Sequence, residues 1–343
     1  MPILELCAGV GALGVVAEHI TSDQVRYVAE IDPGACAILA ERYPDAPNLG
    51  NITEIDWSTL VGEVDVITSG FPCQGISNAG LRKGLEDERS GLWYTVLEAI
   101  RVLRPRIVFL ENVSAILRRG LPEVVSGLAE IGYDARWCCI RASDIGAAHH
   151  RDRWFCVAVP QDADGESWDQ WRSAAPRQKA GPCSSRFCGG GGGGGQSADS
   201  RSQPHGATLA DEVCFLLPYS DSLRRTRGTG DGTGPTGRDE FADAGHSPSA
   251  WWGDYHPVIH QWEKRFGYPA PAPTERGPRG GIRVTAKFAE WLMGFVPGWV
   301  TDIPGLTRGQ QLKAVGNAVQ PQQAYAAFTQ LLEIEYEGET EDG

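Results

Sequence analysis

The sequence has little that would carry it across a membrane, hold a zinc cluster or staple it with disulfides. No stretch of its 343 residues approaches the ~20 unbroken apolar residues of a membrane span. The opening MPILELCAGVGALG has no basic start of the kind a secretory leader needs. A soluble, cytoplasmic protein with no membrane partner is the expectation. The nine cysteines are odd in number and scattered, without a pair of CxxC motifs, so no metal site and no disulfide framework are expected. Lysine is scarce, five residues against 26 arginines, and the net charge is −13. Such an acidic balance argues against a nucleic-acid partner only on average, because a phosphate backbone responds to a local positive face. The charge is unevenly spread: −7 over residues 1–159, −1 over 160–290 and −5 over 291–343. The middle third holds the basic runs Arg224, Arg225, Arg227 and Arg276, Arg279, Arg283, whereas six acids crowd the last eleven residues, EIEYEGETEDG.

What the sequence does have is alternation. PILELC, QVRYVAEID, EVDVITSG and RIVFLENV are short apolar runs of strand length. Between and after them PGACAILAERY, LWYTVLEAIRVL and PEVVSGLAEI carry helical periodicity, the first with Cys36, Leu39, Ala40 and Tyr43 as its apolar face. YDARWCCIR and RWFCVAV add two late strands. This order predicts a mostly parallel α/β sheet with helices on both faces over residues 1–159. Composition changes near Pro160. Residues 161–250 are rich in Gly, Ser, Asp, Arg and Pro, and the seven glycines 189–195 predict a flexible linker or loop rather than a strand. Helical pattern returns around 256–266 and in TAKFAEWLMGF, with Thr285 as its cap. It returns once more after Pro321, with Ala324, Tyr325, Phe328, Leu331 and Leu332 on one face.

Four segments carry chemistry. In ELCAGVGALG, Gly9, Gly11 and Gly14 fit GxGxxG between a strand and a helix. Glu30 and Asp32 end the next strand about 20 residues on, where an acid can accept from ribose hydroxyls. The pattern suits a dinucleotide or any adenosine-bearing cofactor, and equally a plain glycine turn. GFPCQGIS sets Cys73 after Pro72 at the carboxyl end of a strand, on the rim where such sheets bind ligands. Taken alone, Cys73 is a nucleophile or a small buried residue. The polar stretch SNAGLRKGLEDERSG that follows suits an active-site lid. RIVFL runs straight into Glu111 and Asn112, and a carboxylate leaving a buried strand is costly unless paired or used. In HHRDRW, strand alternation would put Arg151 and Arg153 on one face and Asp152 on the other.

Together these segments resemble the DNA (cytosine-5) methyltransferase family of bacterial or phage type. ELCAGVGALG matches its cofactor loop, VAEIDPGA its ribose-acid strand, GNITEI its adenine turn and GFPCQGIS its nucleophile motif. DERSGLW, ENV, GAAHHRDR, FAEWLMGFVPGW and LKAVGNAVQPQQA follow in the family's order. The resemblance covers about 1–159 and 281–332. It implies a class I S-adenosylmethionine-dependent, Rossmann-like sheet completed by residues 281–332. A small irregular target-recognition domain would lie over 160–280, and residues 333–343 would form an acidic tail.

The implied reaction moves a methyl group from S-adenosylmethionine to carbon-5 of cytosine in a specific double-stranded DNA sequence. Cys73 would add to carbon-6 of a flipped-out base. Glu111 would hold a proton against ring nitrogen 3, Arg151 would stabilise developing charge and Arg153 would order the site. Gly9, Gly11 and the backbone around them would meet the methionine part, Glu30 the ribose and Asn51 the adenine amino group. Leu92 would pack on the adenine, and Asn317 and Val319 would close the far side. Cys7, Ala8, Ile31, Ile52 and Pro72 complete the cofactor set. The family has an aromatic residue where Cys7 stands, Asp where Asn51 stands and Gln where His149 stands. A monomer is implied, with room for a companion restriction endonuclease. Three alternatives remain. A non-catalytic DNA-binding relative would suit a chain lacking Cys73 or Glu111. A tRNA cytosine-5 methyltransferase could make do with a shorter middle segment. A nicotinamide oxidoreductase leaves GFPCQ and GNAV unexplained.

Overall fold

The computed structural model describes residues 2–72, 91–161, 168, 189–190 and 252–333. Cys73, the segment 74–90 and most of 162–251 lie outside the described residues, as do the acids after Glu333.

Six main strands form in the predicted places: β1 (Pro2–Leu6), β2 (Gln24–Ala29), β3 (Val66–Ser69), β4 (Ile107–Val113), β5 (Tyr133–Arg141) and β6 (Asp152–Pro160). Their order in the sheet is β2-β1-β3-β4-β6-β5. β2, β1, β3 and β4 pair in parallel, whereas β6 runs antiparallel to both β4 and β5. The reversal has a local cause. Only residues 142–151 join β5 to β6, too few for the helical crossover that parallel neighbours require. The outer edge of β5 pairs with a two-residue strand, β7 (Gly189–Gly190), opposite Arg136 and Trp137. Two of the seven glycines expected to stay out of any strand therefore cover an open sheet edge. Ladder pairing asks only for backbone amides and carbonyls, which glycine supplies as well as any residue.

Side chains leave each strand alternately to two faces, and two hydrophobic layers result. Ile3, Val66, Ile107 and Phe109 face α1 (Ala12–Thr21) and a helix from the far end of the chain, here called α8 (Pro321–Leu331). Leu4, Leu6, Ile67, Val108 and Leu110 face the opposite layer with α3 (Gly91–Leu103) and α4 (Leu121–Glu130). Phe328 of α8 packs 4.8 Å from the ring of Phe109 and 5.5 Å from that of Phe155. Burying one such ring contributes about 2–3 kcal/mol, so the C-terminal helix is an integral layer of the sheet domain.

α2 (Pro33–Arg42) is capped by Asp32, which accepts from the amides of Gly34 and Ala35. Its buried stripe is Ala35, Ile38 and Leu39, one residue off the predicted face, and Ala40 is exposed. Ile38 has more apolar surface to hide than Ala40, and it sets the helix's rotation.

The remaining elements form a smaller layer beside the 142–151 connection. α5 (His256–Phe266) is followed by a hairpin of β8 (Thr274–Arg276) and β9 (Ile282–Val284), then α6 (Ala286–Leu292). Thr285 caps α6 by accepting from Phe288 N at 3.1 Å, as predicted. Ile259, Trp262 and Trp291 pack with Ala142 and Ala147 in a core of their own. α7 (Arg308–Asn317) has no counterpart in the sequence reading. Its start is nevertheless written in the sequence: Thr307 and Gln310 form a reciprocal capping box.

Candidate active site

The carboxyl ends of β1, β2, β3 and β4 open onto one rim. After β1 the backbone turns through Cys7, Gly9 and Gly11 with φ of 52°, 56° and 80°. These left-handed values favour glycine at the latter two positions. Gly9 N donates to Glu30 Oε2 at 2.8 Å, while Glu30 Oε1 accepts from the amides of Ile31 and Asp32, also at 2.8 Å. The carboxylate at the end of β2 is thus fixed against the glycine loop, and Oε2 keeps one lone pair for a hydroxyl donor. Ala8 N donates to Ala29 O at 3.2 Å, and Gly11 N to Ala8 O at 2.9 Å.

The rim has room for an adenosine-type ligand. A Cβ on Gly9 would meet nothing within 4 Å, and Ile31 is 69% exposed beside Glu30, an apolar face for a base to cover. Ile52 is buried in the same hydrophobic layer that Leu92 and Cys7 pack against. Asn51 caps the turn 52–54, its Oδ1 accepting from Thr53 N at 3.1 Å and its amide nitrogen donating to Glu54 at 2.9 Å. The residues present therefore fit S-adenosylmethionine. The Cys7 thiol is pushed up to about 12, by burial first and by Glu30 second. It stays protonated and apolar, and offers no ring to an adenine.

Glu5 was missed by sequence reasoning. It lies within β1, fully buried, with its carboxyl over the amides of Leu13 and Gly14, and burial pushes it up to about 8. A Cβ on Gly14 would come within 2.4 Å of Glu5 Oε2, so the third glycine of the loop exists to make room for this acid. The signal was available: an acid inside the apolar strand PILEL obeys the same rule that singled out Glu111.

The second half of the site gathers at the end of β4. Glu111 is buried, and Arg153 Nε lies 3.1 Å from its Oε1. Burial pushes Glu111 up to about 7, against the opposing pull of Arg153 and Arg151. Asn112 donates to Phe71 O at 2.8 Å, and Glu111 Oε2 lies 3.5 Å from where a Cβ on Gly70 would stand. The backbone at Phe71, two residues before Cys73, is therefore tied to Asn112, with Gly70 lying close to Glu111. Phe71 is buried against Trp93, ring centres 5.0 Å apart, and Pro72 is exposed on the rim.

Arg151 departs from the predicted alternation. β6 begins at Asp152, and Arg151 precedes it with φ of 27°. Its guanidinium donates to Ala318 O and, at 3.3 Å, to Gly316 O. Those carbonyls flank the predicted Asn317 and Val319, so the exposed Asn317 and buried Val319 are held beside the arginine loop. Gln323, also missed, donates to Arg151 O and to Ile140 O, both at 2.7 Å. Side-chain and backbone contacts to the C-terminal segment thus hold Arg151 in a conformation that a non-glycine residue adopts only under constraint. Burial and the neighbouring Arg153 push Arg151 down to about 10, which leaves it charged. His149 is pushed down to about 4 by burial, and Leu292 O accepts from its Nε2 at 3.1 Å, so the ring is neutral with its proton on Nε2.

The C-terminal segment also closes the glycine loop. Trp299 Nε1 donates to Val10 O at 2.9 Å, Arg42 donates to Trp299 O at 2.9 Å, and Arg42 lies over the Trp299 ring. The buried Glu290 fixes that turn by accepting from the amides of Gly298, Val300 and Thr301 at 2.6–2.9 Å. Lys313 of α7 pairs with Asp32.

Residues 1–182 match the family model described as C-5 cytosine-specific DNA methylase. The chain is 40% identical over 164 residues to the Type II methyltransferase M.CviJI of Paramecium bursaria Chlorella virus IL3A, covering 48% of this chain and 44% of that one. It is 32% identical over 140 residues to the Type II methyltransferase M.NlaIV of Neisseria lactamica, covering 38% and 33%. The chain thus matches less than half the length of these relatives. Two solved Dnmt2 structures share the fold across 97% of this chain. That of Spodoptera frugiperda has a TM-score of 0.56 at 15% identity over 99% of its length. That of S. pombe has 0.52 at 16% over 98%.

Proposed function

Because the chain belongs to the C-5 cytosine-specific DNA methylase family, we propose that it methylates carbon-5 of cytosine in double-stranded DNA, using S-adenosylmethionine. The observation that carries this reading is a buried acid, held beside an arginine, next to the residue that anchors the backbone leading to a cysteine. Glu111 sits at about 7 beside Arg153, and Asn112 anchors Phe71 two residues before Cys73.

Each residue then has a task. Carbon-5 of cytosine is a poor nucleophile, and a Cys73 thiolate adding at carbon-6 makes it enamine-like. Glu111, near 7, can keep a proton against ring nitrogen 3 as electron density builds there. Arg151 and Arg153 supply fixed positive charge close to Glu111 and the base. Gly9, Glu30, Ile31, Asn51, Ile52 and Leu92 would hold S-adenosylmethionine, with Asn317 and Val319 on the other side. When bound, that cofactor supplies an electrophilic sulfonium methyl group. A base then takes the carbon-5 proton, the ring double bond re-forms, and the carbon-6–sulfur bond breaks to release Cys73 as thiolate. The Type II names of the relatives support a companion restriction endonuclease as a partner.

The test is a duplex carrying 5-fluorocytosine at the target. Fluorine cannot leave as a proton, so a covalent complex should persist when S-adenosylmethionine is present, and Cys73→Ser should abolish it. No complex on any duplex from a DNA pool methylated by no other enzyme would refute the reading. A complex on tRNA alone would transfer the activity to RNA.

A further inference from the structure

We propose that the β8–β9 hairpin, residues 274–284, is a base-reading ribbon that docks in the DNA major groove, with Arg276, Arg279 and Ile282 as its contact residues. The inference rests on the DNA-methylating reading above.

The hairpin is built with two unlike faces. Register pairs Thr274 with Val284, Glu275 with Arg283 and Arg276 with Ile282. The inward face is ion-paired: Glu275 Oε1 lies 2.8 Å from Arg283 Nε and 3.2 Å from Arg308 Nε of α7, and Arg308 also donates to Val284 O. A two-stranded hairpin alone is marginal in water, and these contacts hold it to α7. The outward face carries Thr274, Arg276, Ile282 and Val284, with Ile282 78% and Val284 47% exposed. Leaving two β-branched residues in water on a short ribbon forfeits burial that the inward face could have provided.

The tip adds a third arginine. Gly280 N donates to Gly277 O at 2.9 Å and Gly277 N to Gly281 O at 2.7 Å, a tight turn with Arg279 near its apex. Gly280 has φ of 76°. Arg276 and Arg279 are exposed and have no ion-pair partner among the described residues. In a chain of net charge −13, this hairpin carries three arginines and one acid.

Size and position fit one occupant. The major groove admits a two-stranded ribbon, Arg matches guanine O6 and N7 with two hydrogen bonds, and an aliphatic side chain matches the thymine methyl. The root of the hairpin also adjoins the catalytic arginine loop. Thr274 and Ala148, three residues before Arg151, line the same cavity of about 600 Å³ together with Trp252, Tyr255 and Phe288. A duplex read by the hairpin would therefore pass next to Arg151 and Arg153.

The experiment has two arms. In the first, bisulfite sequencing of DNA from cells expressing each form defines the methylated sequence. Arg279→Ala and Arg276→Ala should each relax discrimination at one base pair by roughly 10- to 100-fold, and Ile282→Ser should weaken preference for a thymine position. In the second, binding of the purified chain to a duplex is measured against salt concentration. The double arginine variant should lower the slope of log K against log salt by about 2, whereas Arg279→Lys should keep the slope and lose the base preference. Arg101→Ala on α3 is the control, with both readouts unchanged, and circular dichroism confirms that each variant is folded. An unaltered sequence preference together with an unaltered slope overturns the proposal. Methylation absent in every form, with the slope still lowered, would sink the catalytic reading and leave the hairpin as a DNA contact. Equal loss of binding to single-stranded RNA and duplex DNA would overturn groove reading.

Discussion

Replacing Glu111 by Gln should make the protein's stability less sensitive to pH, and the size of the change can be worked out. The carboxyl stands at about 7 in the folded chain against an ordinary 4.5. Between those values the folded chain holds a proton that the unfolded chain has released. Stability therefore falls as pH rises through this window, since the unfolded state binds fewer protons. A difference of about 2.5 in pKa corresponds to about 3 kcal/mol of stability, fully present below pH 4.5 and fully lost above pH 7–8. Gln carries no charge at any pH. The pull of Arg153 on the carboxylate is already contained in the value of about 7, so losing that ion pair adds no separate offset. The stability of Glu111→Gln relative to the parent should thus improve by up to about 3 kcal/mol between pH 5 and pH 8. Urea unfolding followed by tryptophan fluorescence at several pH values, after a check for reversibility, measures this directly. Glu5, at about 8, contributes equally to both proteins and cancels. A relative stability that is flat with pH, or that falls, would show that Glu111 is ionised in the folded chain and refute its role as a proton holder.

Two further predictions follow from contacts that bear on the same site. Gly14→Ala should cost about 1–3 kcal/mol, because its methyl group would sit 2.4 Å from Glu5 Oε2 and 2.8 Å from Val25. The same unfolding assay reads it, and a neutral result would mean that the loop can shift off β1. Gln323→Leu removes the donors to Arg151 O and Ile140 O, which should lower kcat at least tenfold with little change in KM for S-adenosylmethionine. Steady-state methylation kinetics would decide it, and an unchanged kcat would free Arg151 from dependence on α8.

Much of this was legible in the chain because local physics is strong there. The apolar runs that stop at Glu30, Gly70 and Glu111 mark rim positions: Glu30 and Gly70 directly follow β2 and β3, and Glu111 lies in the last three residues of β4. Thr285 and Pro321 marked helix starts because capping and proline act over three or four residues. What escaped is set by distant partners. Arg151 lies off its predicted strand because Gly316 O, Ala318 O and Gln323 hold it, and no spacing near HHRDR encodes those contacts. The reversal of β6 depends on connection length, which the sequence contains but residue patterns do not emphasise. α7 was missed because RGQQLKAVGN buries only Val315, too little for an apolar stripe.

The clasp between Trp299 and Val10 also has a consequence in time. Its partners are 289 positions apart. At translation rates of ~5–20 residues per second, Trp299 leaves the ribosome roughly 15–60 s after Val10. For that interval the nascent chain can pair its strands but cannot close its glycine loop. The pocket proposed for the methyl donor is therefore expected to be among the last features to mature, and a chain stalled before residue 299 would lack the clasp that closes it.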